Sequence, residues 1–131
     1  MGKLRNCEFI MDIEWIDDIT GENQYFEILF TTKDNKRYKF LFDGVCGLRY
    51  SIANGYPYEF NQARTQLPKD DDTVNSSTYL VEDSDYVKSF EKQAVGKCPI
   101  GEIKDYIITD MGRSGTVVEV LTTSKPVLVR M

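Results

Sequence analysis

Residues 25–43 decide the fold of this chain: YFEILFTTKDNKRYKFLFD. Apolar and polar residues alternate in two stretches of this segment, on either side of a polar connection. The apolar side chains that share one face are Phe26, Ile28 and Phe30, followed by Tyr38, Phe40 and Phe42. A period of two is typical of strands with one face in the core and the other in water. The segment therefore predicts a β-hairpin.

The length of the connecting loop determines which residues of the two strands lie opposite each other. A two-residue loop would pair Phe30 with Lys39 and mix the apolar and polar faces. A three-residue loop that ends at Asn35 pairs Phe30 with Tyr38 and keeps the apolar residues together. We therefore expect the three-residue loop, with Asn35 in the left-handed conformation that such loops use. The same register places Glu27 diagonal to Lys39 on the polar face, as a weak ion pair.

The apolar stripe on even positions continues beyond Phe42 as far as Ile52, interrupted at Gly44. One straight strand of this length would span roughly 50 Å, which is too long for a domain of this size. Gly44 and Gly47 are natural places for a bulge or a sharp bend. We expect either two consecutive strands or one strand that bends from one part of the sheet to another.

Shorter patterns on both sides of the hairpin predict further strands and loops. Alternating apolar residues predict a strand at residues 7–15, and the polar residues 17–23 predict a turn or loop after it. Residues 61–77 contain few large apolar side chains and predict a long loop, and the glycine-rich residues 111–115 predict a hairpin loop. Further strands are expected at residues 77–81, 103–110, 116–122 and 127–129.

One helix is predicted at about residues 83–95. Asp83 or Ser84 can cap its N-terminus, and Gly96 is placed to end it. The helix has its apolar side chains at helical spacing: Tyr86, Val87, Phe90 and Ala94.

The complete pattern predicts a mainly β (α+β) fold, in which a twisted antiparallel sheet of six to eight strands, partly rolled or barrel-like, packs against this helix. The length of 131 residues fits a single domain over residues 1–131.

Charge and residue usage argue against several classes of protein. A net charge of −5 disfavours binding to duplex nucleic acid or to anionic membranes, because both require a basic surface. The chain has no histidine, which removes the commonest general base near neutral pH and all histidine-containing zinc sites. Its three cysteines are far apart, and without a signal-peptide pattern they indicate reduced thiols and a cytoplasmic location. We therefore expect no catalytic residue, metal or cofactor, with catalysis by carboxylates alone as an alternative.

Acidic residues are concentrated in two segments. Residues 7–32 contain seven and residues 70–87 contain six, and neither segment contains Lys or Arg. If the segments converge, they form an anionic patch that attracts a basic partner. If they lie on separate faces, they contribute only to solubility. The run Asp70, Asp71 and Asp72 lacks the ligand spacing of a calcium loop, which argues against a metal site there.

The candidate partner-binding residues combine this acidic run with one basic and two aromatic side chains. Arg49 is expected on the polar side of a bent strand, as an exposed charge near a turn. Tyr56 and Tyr58 belong to a dense aromatic stretch, which is typical either of a protein-binding surface or of the core of a curved sheet. The predicted partner-binding set is Arg49, Tyr56, Tyr58, Asp70, Asp71 and Asp72.

Two segments, FLFDGVCGLRYSIANGYPYEF (40–60) and IKDYIITDMGRSGTVVEVLTTSKP (103–126), resemble a group of small bacterial proteins. Many proteins of this kind are encoded beside toxins and serve as immunity proteins. The resemblance implies a cytoplasmic single-domain protein that binds a toxin and occludes its active site. It assigns no individual binding residue, because the shared residues belong to turns and strands. The acidic balance of the chain suits a basic nuclease toxin, whose phosphate-binding sites carboxylates can occupy.

A second hypothesis is a small-ligand binding module. In that case the rolled sheet encloses an apolar pocket lined by Phe and Tyr.

Overall fold

The computed structural model describes residues 2–51, 67–69, 77–93, 103–110 and 115–131. Within these ranges the strands form two antiparallel sheets that are not closed into a barrel, which confirms the mainly β fold with one helix. The described elements are β1 (Lys3–Asn6), β2 (Ile13–Glu22), β3 (Tyr25–Thr32), β4 (Arg37–Asp43), β5 (Val45–Ser51), β6 (Thr78–Glu82), α1 (Asp85–Gln93), β7 (Lys104–Thr109), β8 (Val117–Thr122) and β9 (Val127–Arg130).

The two sheets differ in the order of their strands. The five-stranded sheet has the order β1-β6-β7-β8-β5, and the four-stranded sheet has the order β2-β3-β4-β9. The predicted hairpin is β3–β4, and its register is the predicted one, with Phe30 opposite Tyr38 and Phe26 opposite Phe42. Asn35 has a φ of 62°, as the three-residue loop requires. The hydrophobic pattern and the loop length together were therefore sufficient to determine this part of the fold.

Phe40 is at the centre of a group of aromatic rings in the main core. Its ring centroid lies 5.2 Å from that of Phe30, 5.5 Å from that of Phe9 and 6.0 Å from that of Phe42. Phe42 in turn meets Tyr106 of the five-stranded sheet edge to face at 6.0 Å. Burying each such side chain contributes about 1.5–3 kcal/mol. The fully or nearly buried residues of this core come from both sheets and from the segment between β1 and β2: Cys7, Ile13, Ile28, Phe30, Phe40, Phe42, Val45, Tyr106, Ile108, Val118 and Val120.

Gly44 is the point at which the chain leaves one sheet and enters the other. It has a φ of 89°, and a Cβ atom there would lie 2.8 Å from Thr123 Oγ1. The N–H groups of Gly44 and Val45 both donate to the carbonyl oxygen of Gln24, at 3.1 and 2.9 Å. A register shift follows between Val45 and Gly47. The long apolar stripe is therefore two consecutive strands in different sheets, as the first of the two predicted alternatives has it.

The predicted strand at 7–15 and loop at 17–23 are both wrong in their bounds. Residues 7–12 cross between the sheets without strand structure, and β2 begins at Ile13 and continues to Glu22. Register shifts after Ile13 and after Ile16 are β-bulges, which place an inward residue at every third position instead of every second. Because its inward residues do not alternate with outward ones, this polar segment lacks the period-two pattern by which strands are identified in a sequence.

The crossing segment 7–12 is fixed by hydrogen bonds to the start of β6. The N–H of Ile13 donates to Ser77 Oγ at 2.9 Å, and the N–H of Ser77 donates to the Met11 carbonyl at 2.9 Å. The Thr78 hydroxyl donates to the Phe9 carbonyl. Tyr106 Oη donates to Glu8 Oε1 at 2.9 Å. The bonds to Phe9, Met11 and Ile13 satisfy backbone groups that a strand would otherwise pair.

Asp110 joins the end of β7 to the bulged strand β2. Its Oδ2 accepts the N–H of Ile16 at 2.7 Å and its Oδ1 accepts the N–H of Thr116 at 2.8 Å, while the residue is only 1% exposed. One carboxylate therefore satisfies a backbone donor of β2 and one directly before β8. Because hydrogen bonds to carboxylates are stronger than neutral ones, this bridge joins β2 to the neighbouring ends of β7 and β8.

Helix α1 begins after Ser84, and this residue rather than Asp83 is its cap. The N–H of Val87 donates to Ser84 Oγ at 3.1 Å, in the usual N-cap geometry. The end predicted at residue 95 and the glycine at 96 lie outside the described residues, as do most of the loops predicted at 61–77 and 111–115. No helix in the described part of the chain is long and apolar enough to cross a membrane.

The Asp110 bridge is tested by comparing two carboxylates that both accept a backbone N–H. Asp110→Ala should lower the free energy of unfolding by about 2–4 kcal/mol, because each buried donor left without its acceptor costs about 1–3 kcal/mol. Asp18 accepts the N–H of Ile19 at 2.9 Å in an exposed position, so Asp18→Ala should cost about 0.5 kcal/mol or less. Urea unfolding followed by circular dichroism measures both. Equal losses in the two variants would contradict the bridge.

Tyr106 should make the fold sensitive to high pH. Burial first, and then the hydrogen bond to Glu8 and its charge, raise the pKa of Tyr106 above its ordinary value near 10. A raised pKa means that the protonated form stabilises the fold below about pH 10, and that this stabilisation is lost as the pH rises further. The difference in unfolding free energy between the native protein and Tyr106→Phe should therefore shrink from pH 8 to pH 11. Phe42→Leu, which alters the neighbouring ring without a titrating group, should show a constant difference.

Candidate functional site

The outward face of the β2–β3 hairpin concentrates acidic and aromatic side chains. We call it the acidic hairpin face and define it as Trp15, Asp17, Asp18, Glu22, Tyr25 and Glu27. Trp15 is 44% exposed and Tyr25 is 39% exposed, which is unusual for large aromatic residues. Asp17, Asp18 and Glu22 are exposed as well. The face arises because the bulges turn the isoleucines of β2 inward and leave the intervening acids in solvent.

Hydrogen bonds orient several side chains of the acidic hairpin face. Tyr25 Oη donates to Glu27 Oε2 at 2.9 Å, and this bond is the main reason that the pKa of Tyr25 is raised. The Thr31 hydroxyl donates to Asp17 Oδ2 at 2.7 Å. Lys39 Nζ lies 3.4 Å from Glu27 Oε1, which confirms the predicted pair. The face is thus pre-organised on a paired antiparallel ladder.

A small cleft lies beside the acidic hairpin face, where residues of the two sheets meet. It has a volume of about 210 Å³. Tyr50 of β5 lines one side and is 47% exposed. We call this feature the Tyr50 cleft, and its described lining is Ile16, Asp17, Asp18, Ile19, Tyr50 and Thr116.

A second, larger groove opens between the crossing segment and the β3–β4 loop. Its volume is about 490 Å³, and Asp12 and Lys33 on its rim form an ion pair at 3.3 Å. Its lining mixes both charges with apolar side chains: Ile10, Met11, Asp12, Thr32, Lys33, Asp34 and Tyr38. The space between the sheets is occupied by the aromatic core, so this groove lies outside the position expected for a ligand pocket inside a rolled sheet.

Arg49, predicted as an exposed charge, is instead held by a buried carboxylate. It lies opposite Glu119 in the β5–β8 ladder, and its Nε and Nη2 both lie 2.8 Å from Glu119 Oε1. The guanidinium carbon is 3.8 Å from the centroid of the Tyr86 ring. The Arg49 side chain is 36% exposed and that of Glu119 is fully buried. The predicted exposed charge is therefore a paired and only partly exposed one, because Tyr86 of helix α1 packs against it.

Further polar groups surround this pair beneath α1. Asp105 is buried, and its Oδ2 accepts the Ser84 hydroxyl at 2.5 Å. Burial is the main reason that the pKa of Tyr86 is raised, with the charge of Arg49 acting in the opposite direction and those of Glu119 and Asp105 adding to it. The sequence analysis did not identify Glu119 or Asp105. A signal was available, since a carboxylate in the middle of the apolar strand VVEVL needs a cationic partner.

The other predicted partner-binding residues, Tyr56, Tyr58 and Asp70–Asp72, lie outside the described residues. The described acids of the second acidic segment lie in β6, in the turn after it and at the start of α1, where Glu82 pairs with Arg5 at 2.9 Å and Asp83 pairs with Lys88 at 2.5 Å. Among the described residues, the acids of β2 and β3 thus lie on the other sheet.

The chemistry available on the acidic hairpin face is electrostatic binding. No group of three or more metal-binding side chains occurs among the described residues. Carboxylates spaced along a strand attract cationic groups without needing a shared proton or a metal.

Comparisons with known proteins found no matching family model, no similar curated protein and no similar solved structure. The functional interpretation therefore depends on the geometry of this chain.

The pair between Arg49 and Glu119 is tested by comparing a variant that breaks the pair with one that replaces both partners. Glu119→Gln should lower the free energy of unfolding by about 1–3 kcal/mol. This loss is smaller than the one expected on breaking a fully buried pair, because Arg49 is partly exposed. Replacing both Arg49 and Glu119 by Leu should restore stability to within about 1 kcal/mol of the native protein, because no unpaired charge remains. Urea unfolding measures each variant. A double variant less stable than Glu119→Gln would contradict this description.

Proposed function

We propose that this chain is a small cytoplasmic binding protein that neutralises a basic protein toxin by covering its active site, as bacterial immunity proteins do. The acidic hairpin face is the observation that carries the proposal. It combines carboxylates with two exposed aromatic side chains on one side of a paired sheet. The net charge of −5 agrees with it.

The charge of the face suits a partner that acts on nucleic acid. Such a toxin binds phosphates with basic side chains, so its active site has a positive potential. Carboxylates on a fixed surface increase the rate of encounter with such a site and can occupy its phosphate positions. Lys39 is paired with Glu27 at the edge of the face, which leaves Asp17, Asp18 and Glu22 as its exposed acids.

The aromatic side chains supply the apolar part of an interface. Trp and Tyr are enriched among residues that dominate binding energy, because they bury a large area with few rotatable bonds. β2 has ten residues and so extends over about 33 Å. That length fits the width of a standard interface, which buries about 800 Å² on each partner.

A second candidate function is binding of a small ligand in the groove beside Ile10. The groove volume of about 490 Å³ is within the range of small-molecule sites. Native mass spectrometry of the purified chain is the corresponding measurement, and a bound mass that disappears in Ile10→Asp would favour it. The mixed charge and the open shape of the groove make it a weaker candidate than the acidic hairpin face.

The immunity function is tested with the protein encoded by the gene adjacent to this one. Co-expression in a bacterial host should relieve the toxicity of that protein, and the two chains should purify together. The double variant Trp15→Ala/Glu22→Gln should weaken the complex about thirtyfold or more, because it removes an exposed aromatic side chain and an exposed acid. Glu91→Gln, on helix α1, makes the same change in net charge and should weaken binding about twofold at most.

Two outcomes would contradict the proposal. The first is a pair of proteins that do not purify together and show no relief of toxicity. The second is a complex that Trp15→Ala/Glu22→Gln and Glu91→Gln weaken equally, since the acidic hairpin face would then not be the binding surface.

A further inference from the structure

We propose that the Tyr50 cleft receives a single arginine side chain of the protein partner. This inference rests on the proposed function, because it names the group that the partner inserts beside the acidic hairpin face. The cleft combines a small volume, an apolar floor, two carboxylates and one exposed aromatic ring. Each of these features corresponds to one part of an arginine side chain.

The volume of the cleft fits one side chain and is too small for most organic ligands. Small-molecule sites in proteins have volumes of about 300–1,000 Å³. The cleft, at about 210 Å³, lies below this range, as is expected for a site that receives one side chain.

The lining of the cleft supplies both the apolar and the charged groups that an arginine side chain can contact. Ile16 and Ile19 can contact the methylene groups of the stem, as such stems lie along apolar surface elsewhere. The exposed ring of Tyr50 can stack with the planar guanidinium, and such contacts contribute about 0.5–2 kcal/mol. Arginine fits better than lysine because its guanidinium stacks on rings and donates two parallel hydrogen bonds to a carboxylate.

Asp17 and Asp18 give the cleft its charge. Asp17 Oδ2 accepts the Thr31 hydroxyl and Asp18 Oδ1 accepts the N–H of Ile19, so each carboxylate is oriented through one oxygen. The other oxygen of each group is an acceptor of the kind that a guanidinium binds. The described lining of the cleft contains these two carboxylates and no basic side chain. Charge complementarity therefore selects a cationic occupant.

The cleft is held in shape before any partner binds. The N–H of Ile16, in its floor, and the N–H of Thr116, in its wall, both donate to the buried carboxylate of Asp110. Tyr50 lies opposite Val118 in the β5–β8 ladder. Because its walls are fixed by the fold, an incoming side chain does not need to order them, and less binding free energy is lost.

The proposal is tested by titrating the isotope-labelled chain with N-acetyl-arginine methylamide and following backbone amide resonances by NMR. The amides of Ile16, Ile19 and Thr116 should shift and saturate. N-acetyl-citrulline methylamide has nearly the same shape without the charge. Its dissociation constant should be at least about tenfold larger than that of the arginine probe. Raising the salt concentration should weaken the binding of the arginine probe, because salt screens the attraction between partly exposed charges.

Variants of the cleft locate the site. Tyr50→Ala and Asp17→Asn/Asp18→Asn should each weaken the arginine probe about fivefold or more. Tyr25→Ala and Glu22→Gln are the matched controls on the acidic hairpin face outside the cleft, and they should change the dissociation constant by about twofold or less. Equal binding of the citrulline probe, shifts centred away from the cleft, or equal losses in cleft and control variants would each overturn the proposal.

Failure of this inference is distinguishable from failure of the proposed function. If the toxin complex forms and depends on Trp15 and Glu22 while the arginine probe does not shift the cleft amides, only the cleft proposal fails. If the probe binds the cleft but the protein encoded by the adjacent gene does not bind the chain, the proposed function fails and the cleft remains an arginine-binding site.

Discussion

The change of sheet at Gly44 is the constraint on which the rest of the structure depends. The left-handed backbone there lets one alternating sequence supply inward side chains to two opposed walls, with Phe40 and Phe42 on one and Val45 on the other. The space between these walls is then filled by aromatic rings in contact, whose burial is the main source of stability. Every other element packs against one wall or joins the two. A side chain at this position would collide with Thr123 and adopt an unfavourable φ, so the requirement for glycine is local and strict.

The parts of the fold that were predicted from sequence are those in which local patterns agree with each other. In the β3–β4 hairpin, both strands have period two and only one loop length pairs apolar residues with apolar residues, so the register followed. β2 failed the same test because its bulges space Ile13, Ile16 and Ile19 three residues apart. Its acids also resemble a loop in composition. A strand with one solvated face and two bulges has no simple period in its sequence. It is recognised as a strand only from its pairing with β3.

The acids of the candidate site can be seen in the sequence, but their position on one face cannot. The excess of acids in residues 7–32 can be counted, but their display on one face depends on bulges that become evident only in the ladder. The environment of Arg49 depends on strand order. β5 pairs with β8, so the carboxylate that holds Arg49 is 70 residues away, and no local pattern connects them. Burial beneath α1 then determines whether such a charge faces solvent or serves as a structural contact.

The bond from Ile16 to Asp110 also has a consequence for how this molecule avoids self-association. Among the described strands, β2 is at the edge of its sheet, and an edge strand can act as a template for pairing with another chain. The bulges distort that edge, and the carboxylate of Asp110 occupies one of its donors. A partner is therefore expected to recognise β2 through its side chains and not by adding a strand. The bulges of β2, which expose the acidic hairpin face, and its bond to Asp110 thus also oppose strand-to-strand aggregation along that edge.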